Sequence, residues 1–155
     1  MKITILVIGK EKDFGGQDLV REYTERISHY CSCEWKYISS TGRDEDNKKV
    51  IEILEKEKSG GSGSSGLYVV ALDEIGKEYN SKDFASRIQS CMNESVRTLI
   101  FVIGGAYGLS NEVRNQANVT IALSKLTFPH QLVRLILAEQ LYRAFTIIRG
   151  EKYHH

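Results

Sequence analysis

The chain has 155 residues and is almost neutral, with 21 lysines and arginines against 20 aspartates and glutamates and a net charge of +1. That length is most simply one domain, residues 1–155, able to bury about two-thirds of its unfolded surface, and the charge balance excludes a polycation that grips nucleic acid by bulk charge alone. Three cysteines, Cys31, Cys33 and Cys91, match neither a disulfide framework nor the usual zinc spacing, and the apolar run after Met1 is too short for a secretory segment or a bilayer span, so a cytoplasmic protein with no metal and no membrane contact is expected.

Residues 2–9 form a nearly unbroken apolar run closed by glycine, which predicts a strand buried on both faces. From 17 to 31, Leu19, Val20, Tyr23, Ile27 and Tyr30 recur at threes and fours, the stripe of a helix. Residues 34–39 read as a second strand. Asp44 to Asp46 then precede a helix with an apolar side of Val50, Ile53 and Leu54, acid near its start suiting the macrodipole. Residues 59–66 are only glycine and serine and predict a mobile surface loop.

A third strand is expected over 67–72. Ser81 is the expected N-cap of a helix carrying Phe84, Ile88 and Met92. A fourth strand covers 99–103, Ser110 caps a short helix, and a fifth strand covers 119–123. The last helix runs from about His130 to Arg149, with Gly150 as its C′ residue. It is apolar on far more than one face, which predicts burial by its own sheet and by a partner subunit, with Leu137 and Leu141 as interface positions. Five β-α alternations call for an α/β fold: a mostly parallel sheet of five or six strands with helices on both faces.

Two segments stand at the carboxyl ends of predicted strands, where parallel sheets bind ligands. In Gly104-Gly-Ala-Tyr-Gly108 the glycines either serve a tight turn or let backbone approach a ligand. The pattern is neither a dinucleotide fingerprint nor a Walker loop. In the loop from Leu123 to His130, Ser124 and Thr127 can bond an adenine edge while Leu123, Leu126 and Phe128 supply apolar walls. Thr127 and Pro129 are equally suited to starting the long helix. From Arg114 onward six basic residues (Arg114, Lys125, Arg134, Arg143, Arg149, Lys152) face two acidic ones (Glu139, Glu151), +4 by count, a surface that permits phosphate contact without requiring it.

Phe101-Val-Ile-Gly-Gly-x-x-Gly-Leu109, Leu123-Ser-x-x-Thr-Phe-Pro-His-Gln131, Glu139-Gln-Leu-Tyr-Arg-Ala-Phe145 and Arg149-Gly-x-x-Tyr-His154 together resemble the RlmH-type bacterial methyltransferases of the SPOUT class, which N3-methylate a pseudouridine in large-subunit (23S) ribosomal RNA. The resemblance runs the length of the chain and is most specific after residue 99. It implies a trefoil knot in the carboxyl-terminal half, a homodimer, and S-adenosylmethionine as methyl donor. The donor site then falls on Leu72, Gly104, Leu123, Ser124, Lys125, Leu126, Thr127 and Phe128. The catalytic tail falls on Tyr153 and His154, with Arg149 as a charge-stabilising group beside Lys152 and Arg143. The last residue, His155, departs from the pattern, where the family carries lysine or arginine.

Methylation of an imide nitrogen needs its proton removed, and His154 is the expected acceptor or relay, with His130 the second choice. A small, nearly neutral protein has little surface with which to read naked RNA, so the expected substrate is an assembled 70S ribosome. Two other readings remain beside this one: a SPOUT enzyme acting on transfer RNA, and a flavodoxin-like nucleotide-binding module without chemistry.

Overall fold

The computed structural model describes residues 1–10, 15–60 and 66–154. The core of the predicted glycine-serine loop (61–65) and His155 lie outside the described residues. Ten elements alternate in the expected order: β1 (Lys2–Ile8), α1 (Gln17–Ser28), β2 (Ser32–Ile38), α2 (Arg43–Ser59), β3 (Leu67–Glu78), α3 (Ser81–Asn93), β4 (Thr98–Ile103), α4 (Asn111–Gln116), β5 (Val119–Ala122) and α5 (His130–Arg149).

The strands make one five-stranded sheet in the order β2-β1-β4-β3-β5, and every neighbouring pair is parallel. Unbroken apolar runs are what such a sheet requires, because alternate residues enter separate cores. On β4, Leu99, Phe101 and Ile103 face one core while Ile100 and Val102 face the other. The first core lies under α1, α3 and α5; the second lies under α2 and α4.

α5 packs against α1, α3 and the central strand β4. The chain leaving β5 at the sheet edge must therefore cross the β3–α3 connection to reach it. Leu137, Leu141 and Phe145 point into the core, and Phe145 stacks on Tyr30 with ring centroids 5.2 Å apart. Gly150 ends the helix at φ +67°, as its position predicted.

Three local expectations are corrected. Asn80, rather than Ser81, caps α3: its side chain accepts from the Asp83 N–H at 2.8 Å and donates to the Asp83 carboxylate at 2.8 Å, because the helix begins one residue earlier than expected and Ser81 is already its first residue. Ser81 instead donates to Gln140 of α5 at 3.0 Å. On the same helix Cys91 is buried and Met92 exposed, because the buried stripe follows positions 84, 88 and 91. Finally, β3 does not stop at Leu72. Its pairing with β5 shifts between Leu72 and Lys77, and the strand resumes to Glu78 beyond the bulge.

Candidate functional site

At the carboxyl ends of β3, β4 and β5 three loops enclose an open cavity of about 800 Å³, a size suited to a nucleoside-like ligand. The β3 bulge contributes Leu72, Asp73, Glu74 and Ile75. The β4–α4 turn contributes Ile103 through Leu109, and the segment after β5 contributes Leu123, Ser124 and residues 126–130. Seven of the eight predicted donor-site residues (Leu72, Gly104, Leu123, Ser124, Leu126, Thr127 and Phe128) thus line one space. Lys125 does not line it; its Nζ donates to the Gly76 carbonyl at 3.1 Å, across the crossing segments.

The β4–α4 turn is fixed by its own backbone. The Gly108 N–H donates to the Gly105 carbonyl at 3.0 Å, and Gly108 sits at φ +68°, where glycine is favoured. A side chain on Gly104 would stand 3.0 Å from the Gly108 carbonyl carbon. Ser110 caps α4 as expected, accepting from the Val113 N–H at 3.3 Å, while its own N–H donates to buried Asn47 of α2 at 2.9 Å. Arg114 bonds both the Asp73 carboxylate and the Leu109 carbonyl at 2.7 Å. The bulge and the turn are therefore one braced unit.

Composition had hidden these electrostatics. Asp73 and Glu74 lay beyond the expected end of β3, and Arg43 gave no signal at the start of α2. The predicted basic surface also shrinks: Arg114 and Arg143 are engaged by Asp73 and Glu139, and Arg134 is fully buried, its guanidinium 5.3 Å from the Tyr37 ring centroid. Burial, with Arg134 nearby, lowers the pKa of His130 at the cavity edge and favours the neutral imidazole.

The predicted catalytic tail lies elsewhere. α5 is 20 residues long, so its far end is about 30 Å from His130 at the cavity. Exposed Arg149 stands at that end. Tyr153 folds back onto α5, donating to Glu139 at 3.1 Å, meeting the Tyr23 hydroxyl at 3.3 Å and packing edge-on against Tyr142 at 4.7 Å. Burial and these bonds to Tyr23 and Glu139 raise its pKa and keep the phenol protonated. His154 Nδ1 lies 3.4 Å from an Arg143 guanidinium nitrogen. Within the chain the cavity loops and the tail therefore form two separate clusters.

No helix of the described residues is long and apolar enough to cross a membrane, and no group of three or more potential metal ligands occurs among them. The family model described as "Predicted SPOUT methyltransferase" matches residues 1–154. The ribosomal RNA large subunit methyltransferase H of Christiangramia forsetii is 43% identical to this chain over 159 residues, covering 100% of the chain and 99% of that protein. The enzyme of the same name from Cytophaga hutchinsonii is 42% identical over 155 residues, covering both in full. Among solved structures, the SpoU methyltransferase AviRb from Streptomyces viridochromogenes superposes with a TM-score of 0.54 at 15% identity, covering 97% of this chain and 61% of that one. Its complex with the cofactor AdoMet gives 0.53 at 13% identity, covering 92% and 57%.

Proposed function

This chain belongs to the SPOUT methyltransferase family, and from that premise we propose that it is an S-adenosylmethionine-dependent methyltransferase of large-subunit ribosomal RNA. In this reading it acts in the cytoplasm as a homodimer, methylating N3 of a pseudouridine on the assembled 70S ribosome. Residues 1–155 form one methyltransferase domain, knotted where the chain after β5 crosses the β3–α3 connection.

The observation that carries the reading is the convergence of Leu72, Gly104 and the Leu123–Phe128 loop on one cavity. The cavity fits the donor's chemistry. Leu123, Leu126 and Phe128 supply apolar walls, the glycine turn allows close backbone approach, and the Glu74 carboxylate lies beside them for a cationic group. When bound, S-adenosylmethionine supplies an activated methyl on its sulfonium, so the protein need only align the acceptor nitrogen and manage one proton.

His154 is our candidate for that second task, with Tyr153, a neutral phenol, as a hydrogen-bonding partner of the base and Arg149 stabilising charge that develops on the base oxygens. Arg149 stands about 30 Å along α5 from its own subunit's cavity, and Tyr153 and His154, which meet Glu139 and Arg143 part-way along the helix, do not line it. This separation supports a site made of two subunits, one giving the donor loops and the other the tail. The glutamate and arginine on α5 hold that tail in shape: Arg143 donates to Glu139 at 2.6 Å, and both meet tail residues.

The test is transfer of labelled methyl from S-adenosylmethionine to ribosomes from cells lacking this gene. Gly104→Trp and deletion of residues 153–155 should each abolish transfer, the deletion leaving donor binding intact. Mixed dimers of the two variants should recover activity, because one intact composite site then forms. Donor binding without label on large-subunit RNA would sink the substrate assignment and turn attention to transfer RNA. Failure of the mixed dimers alone would sink the shared site.

A further inference from the structure

Three of the six exposed large apolar side chains among the described residues, Ile75 at 68%, Tyr107 at 70% and Leu126 at 71%, stand on the three loops around the cavity. Such side chains scattered singly need no explanation, but three around one opening mark a surface that something covers. Tyr107 is the only one with an aromatic face. Among the described residues its ring packs on no other aromatic ring.

The ring is not on a loose loop. Its turn is closed by the Gly108–Gly105 hydrogen bond at 3.0 Å, and a Cβ on Gly105 would stand 2.9 Å from Ile8 Cγ2. The backbone beneath Tyr107 is therefore seated directly on β1, which presents the ring in a fixed place. Charge around the opening is unevenly matched. The Asp73 carboxylate is matched by Arg114, and Glu74 accepts from Thr127. Arg43, exposed at the first position of α2, lines the same cavity and makes no salt-bridge contact among the described residues, the more distant Glu112 carboxylate feeling its charge only at longer range.

We propose that Tyr107 is a stacking platform for a nucleobase of the RNA at this site, with Arg43 receiving the adjoining phosphate. The inference rests on the reading of the chain as an RNA methyltransferase and adds to it a residue that positions the acceptor. A base that must present its edge to a buried donor has to leave its stack, and a π-face with apolar flanks replaces what it loses. Ile75 supplies one such flank. Phosphate is drawn to Arg43 and repelled by Glu74.

The experiment uses the full-length protein with Tyr107 changed to Ala, Phe or Trp, labelled S-adenosylmethionine and ribosomes from cells lacking the gene. Tyr107→Ala should lower kcat/KM for ribosomes about tenfold or more, mostly through KM, while Phe and Trp stay within about threefold of the parent. Donor affinity by calorimetry and mass by light scattering should not change. Arg43→Ala should reduce the slope of log affinity against log salt by about one. Undiminished activity in Tyr107→Ala, or equal losses in Ala and Phe, overturns the proposal. So does loss of donor binding, and dissociation of the dimer would assign the ring to a second copy of the chain. If the parent protein labels no ribosomal RNA, the underlying reading fails; the platform is then judged by photo-crosslinking of a 4-thiouridine hairpin to Tyr107, and absence of that crosslink overturns it too.

Discussion

Thr127 donates its hydroxyl to the Glu74 carboxylate at 2.7 Å across 53 residues of sequence. The bond lies where the chain leaving β5 crosses the chain leaving β3, beside the Lys125–Gly76 contact at 3.1 Å. Both side chains are exposed, so the bond contributes about 1 kcal/mol or less to stability, and its effect falls on the shape of the donor loop. Thr127→Val is expected to weaken S-adenosylmethionine binding about three- to tenfold with an unchanged urea midpoint. An unaltered Kd in calorimetry would show that the loop is held without this bond.

Gly76 permits the crossing at closer range. A Cβ there would stand 2.6 Å from the Ile121 carbonyl carbon and 2.7 Å from the Ala122 nitrogen, and neither backbone atom can yield unless β5 moves. Gly76→Ala should destabilise the protein by about 1–3 kcal/mol and weaken donor binding, because the loop after β5 moves with it. Parental stability in urea unfolding would refute this account of the site.

The expected interface positions on α5 need correcting. Leu137 and Leu141 are fully buried within their own subunit, so a polar residue there should unfold the chain before it separates two chains. Leu132 is 43% exposed and Leu135 and Ile136 are half-buried without joining either core cluster, whereas Val133, Tyr142, Ile147 and Ile148 are half-buried against the first core. The first three are the apolar side chains α5 most readily offers a partner. Ile136→Glu should give a folded monomer that binds donor but transfers no methyl, whereas Leu137→Glu should lose its circular dichroism. A fully active Ile136→Glu dimer in light scattering would place the interface elsewhere.

Asp46 carries a pH dependence. Burial opposes its ionisation, but bonds from the Ser40 hydroxyl and the Thr41 N–H, the latter at 2.8 Å, reverse the balance and lower its pKa. A carboxylate with a depressed folded-state pKa contributes stability above its unfolded pKa of about 4, and that contribution is lost as pH falls through the folded value. Asp46→Asn should therefore be less stable at pH 7 and show a shallower loss on acidification from pH 5 to 3. Parallel stability curves for the two proteins would exclude Asp46 as a contributor.

The order of strands and helices was legible from the residues alone, since continuous apolar runs, threes-and-fours stripes, the Ser110 cap and the Gly150 stop are local signals. The loops that line the cavity were legible too, because their residue types and their place after strands are both local. Whatever depends on one segment passing another had to wait for the folded chain. The bulge that brings Asp73 and Glu74 to the cavity arises where β3 pairs with β5. Gly76 is required by backbone 45 residues away in Ile121, and Arg134, a surface charge by composition, is buried between α5 and Tyr37. The same holds for the tail. Its tyrosine and histidine were legible as chemistry, but their separation from the donor loops is set by the length and direction of α5, and a side chain's reach is fixed by where the backbone runs.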